Sequence, residues 1–246
     1  MKIILSRKGF DSSSGKQPNP IMPDGTLLSL PIPDEAGNNE YSSLFWNGKS
    51  FYDIINSLKP GTKLTPYDKC HLDPDLRKEV RNRLPHWKPA FGQTGAALSH
   101  LRNLKVDIGD LFLFFGWYRA TEEKNGKLIY KKNSPHQHII YGYMQIGDII
   151  ERYEDVPNWL KNHPHVLNEK AWKDNANAIY LPTDSLSFLP YADGCGVLNY
   201  RSDRVLTKEG MTRRHWDLPE FFKKVEISYH SKDSWANGCF KSTGRG

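Results

Sequence analysis

The sequence predicts an α+β fold built on a mixed or antiparallel sheet, surrounded by short helices and long loops. The run Gly109–Arg119 is the longest apolar stretch, and apolar side chains occupy both of its alternating sets. A strand of this kind is buried on both faces and belongs at the centre of a sheet or barrel. A second run, His138–Ile150, predicts a neighbouring antiparallel strand after a polar tip. Short helices are predicted over Phe51–Ser57 and Thr94–Leu104.

The composition indicates one folded domain spanning residues 1–246. Apolar residues make up 38% of the 246 residues and aromatic residues 12%, which suits a globular chain with a substantial core. No internal repeat or long linker suggests a boundary. The formal net charge of +6 fits a phosphate-bearing partner, although many basic proteins bind none.

The cysteines and the N-terminus predict a cytoplasmic protein. Cys70, Cys195 and Cys239 are few, odd in number and far apart, which argues against a disulfide framework or a cysteine zinc site and favours a reducing compartment. Lys2–Leu5 forms a short apolar segment with no long apolar stretch after it, so we expect no signal peptide and no membrane span. The closing residues Gly244–Gly246 show no recognisable cap, and we expect the native chain to continue.

A loop rich in small and basic residues follows the first strand. Backbone N–H groups of such a loop can hold an anion, and its cations add attraction. The predicted phosphate-binding residues here are Ser6, Arg7, Lys8, Ser12, Ser13, Ser14 and Gly15. The loop is not a Walker A loop, because its spacing is too long, Gln17 replaces the magnesium-binding hydroxyl, and Pro18 and Pro20 prevent the following helix. The alternative is a flexible surface loop.

A base pocket can be assembled from side chains further along the chain. Aromatic faces stack bases, side-chain amides recognise base edges, and arginines neutralise phosphate. The candidates are Trp117, Tyr141 and Tyr143 for stacking, Gln93 and Asn177 for base edges, and Arg119 and Arg245 for phosphate. The alternative is that the aromatic side chains belong to the core.

Catalytic groups are also available. His71 or His100 can act as a general base, with Asp11 or Asp73 orienting it or acting alone. Asp73 has a competing structural interpretation as the N-cap of a helix predicted over Leu76–Leu84. No metal or cofactor is assigned. Weak metal candidates are the pairs His136 with His138 and His163 with His165, to which Asp73 could add a carboxylate. The alternative is that these histidines only form hydrogen bonds.

Two resemblances follow from these segments. The Gly109-Asp110 turn, the aromatic strand and the return strand ending in Gly142–Ile146 resemble the core hairpin of PUA-like domains, especially the EVE and ASCH branches. This resemblance implies a small barrel with a pocket for a base. The opening Ser6–Gly15, with Leu30–Pro33, Trp216–Pro219, Ser228–His230 and Gly244–Gly246, resembles the nucleotide modification associated domain family, third type. That family occurs in bacteria and phages beside DNA base-modification genes.

The resemblances and the residues together predict a protein that binds a nucleotide or DNA base, in base modification or in conflict between phage and host. One alternative is an enzyme that acts on a nucleotide through the histidines and aspartates named above. Another is a module that sequesters or senses a small nucleotide without turnover. The expected partner is a nucleotide or nucleic acid, with no membrane. The ligand, the reaction and the oligomeric state stay open.

Overall fold

The computed structural model describes residues 1–228, 230, 232–236 and 238–242. The chain forms two compact units, and each unit is made of three chain segments. Unit 1 comprises Met1–Ile4, Leu30–Leu113 and Gly142–Val197, and unit 2 comprises Leu5–Ser29, Phe114–Tyr141 and Leu198–Gly246. Within the described parts the fold is mixed α+β, with many strands and few helices. The assignment of residues 1–246 to one domain stays a prediction.

Most elements are short strands joined by turns. The strands are β1 Ile3–Arg7, β2 Asn19–Ile21, β3 Ile32–Pro33, β4 Asn39–Glu40, β5 Phe45–Trp46, β6 Lys49–Ser50, β7 Lys69–His71, β8 Phe91–Thr94, β9 Leu111–Lys124, β10 Lys127–Tyr130, β11 Gln137–Ile150, β12 Asn177–Pro182, β13 Ser185–Leu186, β14 Leu189–Asp193, β15 Cys195–Val197, β16 His215–Trp216, β17 Trp235–Ala236 and β18 Cys239–Lys241. The α-helices are α1 Phe51–Leu58, α2 Gly95–Asn103 and α3 Glu169–Lys173. The 3₁₀-helices are Tyr41–Ser43, Lys78–Val80, Tyr153–Asp155, Asn158–Leu160, Ser202–Arg204, Glu220–Lys224 and Lys232–Ser234.

Strands β9 and β11 are the two longest, and both were predicted from their apolar runs. Phe112, Phe114 and Phe115 of β9 are fully buried, so consecutive residues of the strand face a core on both sides. The predicted polar tip between them contains the further strand β10, which pairs antiparallel with β9. Asn125 and Gly126 make this turn with positive φ angles of 51° and 73°, as a tight two-residue hairpin requires.

The sheet is mixed and open. In unit 1, β12 pairs antiparallel with both β11 and β8, and β15 pairs antiparallel with β11. In unit 2, β2 runs parallel to β9, with Asn19 opposite Tyr118. The strand order β1–β9–β11–β12–β8 does not close on itself in the described residues. The predicted PUA-like barrel is therefore not confirmed, because no hydrogen-bonded pairing joins the two ends of this order.

Each unit has its own apolar core. In unit 1 the cluster contains Ala90, Ile150, Leu160, Val166, Ile179 and Leu181. In unit 2 it contains Phe115, Leu206, Trp216, Leu218 and Phe240. Burial of this apolar surface is the main term that stabilises each unit. The three cysteines are free thiols, as the sequence predicted.

The helix predicted over Leu76–Leu84 is wrong. This segment contains only the 3₁₀-helix Lys78–Val80. Contacts made by Asp75, just before the segment, and by Arg83, near its end, hold the backbone in another conformation. The backbone of Asp75 exchanges two hydrogen bonds with Ala90, and its carboxylate receives a bidentate pair from Arg83 at 2.5 and 2.7 Å. The N-cap of this 3₁₀-helix is Arg77, so Asp73 does not cap it, and the Asp73 carboxylate instead accepts a hydrogen bond from the Gly92 N–H.

Candidate functional site

A cluster of acidic and imidazole side chains in unit 1 begins at strand β7. His71 is the last residue of β7, which pairs with both β3 and β4. The neighbouring Cys70 is buried and its thiol donates to the Asn39 carbonyl oxygen at 3.2 Å. Because side chains alternate along a strand, His71 faces the opposite way, where its Nδ1–H donates to the Asp34 carboxylate at 2.8 Å. This hydrogen bond fixes the His71 ring.

Asp73 supplies a carboxylate with a fully buried side chain. Its Oδ1 atom accepts a hydrogen bond from the Gly92 N–H at 2.7 Å. Two imidazoles approach the same carboxylate: His163 Nε2 lies 3.5 Å from Oδ1, and His165 Nε2 lies 3.8 Å from Oδ2. A buried charge is costly unless neighbouring groups compensate it, so the position of these rings beside Asp73 is energetically significant.

His163 and His165 follow a 3₁₀-helix and are held by a tight turn. Asn177 holds both the backbone and the ring of His165. Its amide nitrogen donates to the His165 carbonyl at 2.6 Å, and its amide oxygen accepts from His165 Nδ1 at 3.0 Å. A Cβ atom on Gly92 would lie 2.2 Å from the His165 ring, so only glycine at that position leaves space for the imidazole.

The cluster borders an open cavity of about 290 Å³. Its lining residues are Asp34, Ala36, His71, Thr94, Pro164, His165, Leu167, Asn168 and Glu169. This volume is just below the range for small-molecule sites, which is roughly 300–1,000 Å³. The rings of His71 and His165 meet edge-to-face, with centroids 5.0 Å apart. Two imidazoles therefore reach both the buried carboxylate and the cavity.

The structure thus brings together His71 and Asp73 with the predicted pair His163 and His165. Asn177, which the sequence suggested as a group that recognises base edges, instead holds His165. His100 lies in α2 and does not belong to this cluster or to the cavity lining. Gln93 lies in β8 opposite Ala178 of β12, and it also does not line the cavity.

The predicted phosphate loop lies in unit 2 and is organised by Asp11. The Asp11 carboxylate accepts hydrogen bonds from the N–H groups of Ser13 and Ser14 at 2.8 and 2.7 Å, and it pairs with Arg7 at 3.2 Å. Burial raises the pKa of Asp11, but the hydrogen bonds from Ser14 and Ser13 outweigh burial and the pKa is lowered. A phosphate at these N–H groups would have to compete with this carboxylate.

Arg213 of unit 2 contacts Trp117 and is close enough to Arg7 and Arg214 for their charges to act on it. The guanidinium of Arg213 lies 4.0 Å from the centroid of the Trp117 ring, and Trp117 Nε1–H donates to His136 Nδ1 at 2.9 Å. Burial lowers the pKa of Arg213, and the charges of Arg7 and Arg214 lower it further. Arg213 and Arg214 were not predicted from the sequence, where their only signal is a pair of adjacent arginines shortly before Trp216.

His138 lies within the same cationic surroundings. It is buried in β11, where its Nδ1 accepts a hydrogen bond from Trp216 Nε1–H at 3.1 Å. Burial lowers its pKa to about 3, with further contributions from the charges of Arg213, Arg7 and Arg214. The pair His136 and His138 therefore bonds to two tryptophans, and neither residue belongs to the acidic cluster of unit 1.

The structure shows the contacts of three other predicted nucleotide-binding residues, whose role in binding stays a prediction. Tyr141 is buried and packs near Phe114 and Tyr118, with ring centroids 6.4 and 5.9 Å away. Tyr143 donates its hydroxyl hydrogen to the Asp193 carbonyl at 3.1 Å. Of the two arginines predicted to contact phosphate, Arg119 donates a hydrogen bond from Nε to the Ser134 hydroxyl at 3.1 Å. The other, Arg245, lies outside the described residues.

A family model described as nucleotide modification associated domain 3 matches residues 2–246. The chain belongs to this family. The match covers essentially the whole chain and confirms the narrower of the two resemblances. No curated protein and no solved structure matches the chain. The name nucleotide modification associated domain 3 records an association with nucleotide modification and specifies no reaction. Within the described part of this family member, no helix combines the length and apolar character that crossing a membrane requires.

Proposed function

We propose that the protein binds a nucleotide or a nucleic acid base in the course of nucleotide modification, and that arginines of unit 2 contact the phosphate. The family association supports the link to modification. The observation that carries the proposal is the cationic group formed by Arg7, Arg213 and Arg214 near Trp117. The setting that we propose is DNA base modification or conflict between phage and host.

The electrostatics of Arg213 support an anionic ligand. Its pKa is lowered first by burial and then by two neighbouring arginines, so the charged form is less stable there than in water. Asp11 offsets part of this repulsion. A phosphate would relieve the rest, because the planar guanidinium group offers paired donors that match phosphate oxygens. Trp117 adds an aromatic surface beside these charges, which suits a ligand with a base attached.

Binding should depend on Arg213 and on ionic strength. We expect Arg213→Ala to weaken binding of deoxynucleoside triphosphates or single-stranded DNA about tenfold or more, since one charge-assisted contact contributes roughly 1.5–3 kcal/mol. The matched control is Arg201→Ala, because Arg201 is exposed and pairs with Asp203 in the same unit. Fluorescence anisotropy at about 50 and 200 mM salt measures both effects. Equal affinities of the two variants, or binding of DNA that ignores salt, would refute the proposal.

A second candidate function is an enzyme that acts on a nucleotide at the unit 1 cavity. The observation that favours it is the convergence of His71, Asp73 and His165 beside open space. Imidazoles and a carboxylate that lie this close together are groups that can transfer protons to and from a substrate. Chromatography of nucleotides incubated with the protein distinguishes this candidate from a module that only sequesters or senses its ligand. A product that disappears in Asp73→Asn supports the enzyme, and unchanged nucleotides support binding without turnover.

A further inference from the structure

We propose that His71, Asp73 and His165 bind a divalent transition-metal ion at the edge of the unit 1 cavity. One ligand atom from each residue lies within 4.8 Å of the other two. Ligand atoms bound about 2.0–2.2 Å from one metal ion are separated from each other by roughly 3–4 Å. The 3.8 Å between His165 Nε2 and Asp73 Oδ2 already falls in this range. Small side-chain movements bring the third ligand into place.

The hydrogen bonds around the two imidazoles prepare them as ligands. His71 Nδ1 faces the Asp34 carboxylate, which can only accept, so the proton of the neutral ring is on Nδ1. His165 Nδ1 faces the oxygen of the Asn177 amide, whose orientation is fixed by its second hydrogen bond. In both rings Nε2 therefore carries the lone pair that a metal ion needs. Outer carboxylate and amide partners of this kind are typical of metal-bound histidine.

The surrounding charges also favour a cation. Asp73 has a fully buried side chain, and a bound cation would offset the cost of burying its charge. Asp34 and Glu169 add two carboxylates to the cavity lining. Cys70 takes no part, because its thiol is directed at the Asn39 carbonyl. The donor set is thus two imidazoles and one carboxylate, which suits Fe²⁺, Zn²⁺, Co²⁺ or Mn²⁺ better than Ca²⁺.

His163 is assigned as a positioning residue. Its Nδ1 accepts the backbone N–H of His165, so its proton is on Nε2, which points toward Asp73 Oδ1 at 3.5 Å. Among the described residues this buried Nε2 atom has no hydrogen-bond partner. A movement of the Asp73 carboxylate toward a metal ion and toward His163 would give the His163 Nε2–H group a hydrogen-bond acceptor. The cavity side of the metal ion stays open for water or a substrate, as in catalytic sites.

The test measures metal binding directly and does not depend on nucleotide binding. The full chain, without an affinity tag, is stripped with a chelator and titrated with Co²⁺, Zn²⁺, Mn²⁺ and, without oxygen, Fe²⁺. We expect one equivalent to bind, and visible absorption bands of bound Co²⁺ to report the coordination. Asp73→Asn and His71→Ala should abolish saturable binding. His86→Asn, which removes an exposed histidine from the same unit, should bind as the unaltered protein does.

A further variant, Asp34→Asn, guards against loss of folding. Asp34 is only partly buried, and Asp34→Asn keeps its size while weakening the acceptor for His71. We expect a 10- to 100-fold loss of affinity, the usual effect of removing an outer partner of a metal ligand, with an unchanged circular dichroism spectrum. The proposal is overturned if the stripped wild-type protein binds none of the four ions at one equivalent. It is also overturned if folded Asp73→Asn or Asp34→Asn retains full affinity.

Discussion

Acid should destabilise the protein through His138. Its ring is buried against Phe115 and Trp216, and burial with the nearby arginine charges lowers its pKa to about 3. In the unfolded chain the pKa of histidine is about 6.5. The folded state therefore holds the ring neutral while the unfolded state takes up a proton below pH 6.5. Stability from this residue is present above pH 6.5 and is lost as the pH falls toward 3.

The size of the effect follows from the two pKa values. A pH of 4 is about 2.5 units below the pKa of the unfolded ring, so the unfolded ring is protonated. The folded ring stays almost entirely neutral at this pH, because its pKa is about 3. With about 1.4 kcal/mol for each unit, the loss between pH 7 and pH 4 is about 3 kcal/mol. This is a large part of a typical free energy of unfolding, which is about 5–15 kcal/mol.

The assay compares the unaltered protein with His138→Gln by urea denaturation from pH 7 to pH 4. A glutamine oxygen can still accept from Trp216 Nε1–H but does not titrate. Because the carboxylates titrate equally in both proteins, the difference between the two free energies of unfolding isolates His138. We expect this difference to shrink by about 3 kcal/mol, while His86→Asn serves as a control for loss of an exposed histidine. A difference that stays constant with pH would contradict the reasoning.

Two further predictions concern the packing of unit 1. Gly92→Ala should cost about 1–3 kcal/mol of stability, because the added Cβ atom would lie 2.2 Å from the His165 ring. The same variant should weaken metal binding. Thermal unfolding measures the first effect, and Co²⁺ titration measures the second. Asp75→Ala should cost about 3–5 kcal/mol, because it leaves the Arg83 guanidinium buried without its bidentate partner. The double variant Asp75→Ala with Arg83→Met should recover part of that loss, and no recovery would show that the cost is not the uncompensated charge.

The sequence alone predicted the elements whose signal is local. Phe112 to Phe115 lie in one uninterrupted apolar run, and a run of that length specifies a buried strand without knowledge of its partners. Helix α1 was predicted within one residue, since Ser50 and Asp53 form a capping box at its start and Lys59-Pro60 follows its end. In these cases the periodicity lies within the element, and the end signals lie within it or directly beside it.

Strand partners and the site depend on contacts between distant residues. Nothing near Asn19 in sequence indicates that β2 runs parallel to β9, and this pairing contributes to an open mixed sheet where a barrel was expected. Likewise, His165 is far from His71 and Asp73 in sequence, and only the fold brings it to them. The sequence offered Asp73 as a carboxylate for the His163 and His165 pair, but it could not choose that pair over His136 and His138. Burial and the contacts with Trp117 and Trp216 make that distinction.

The two candidate sites differ in the sign of charge that they favour, and this makes the proposals separable. The unit 1 cavity is lined by Asp34 and Glu169 beside the buried Asp73, so it should repel a phosphate unless a cation is present. The proposed site around Arg213 is cationic and should attract phosphate without a metal ion. Asp73→Asn should therefore remove metal binding and leave metal-free nucleotide affinity unchanged, whereas Arg213→Ala should do the reverse. Loss of metal affinity in folded Arg213→Ala would refute the assignment of the two ligands to separate sites, because variants at independent sites have additive effects.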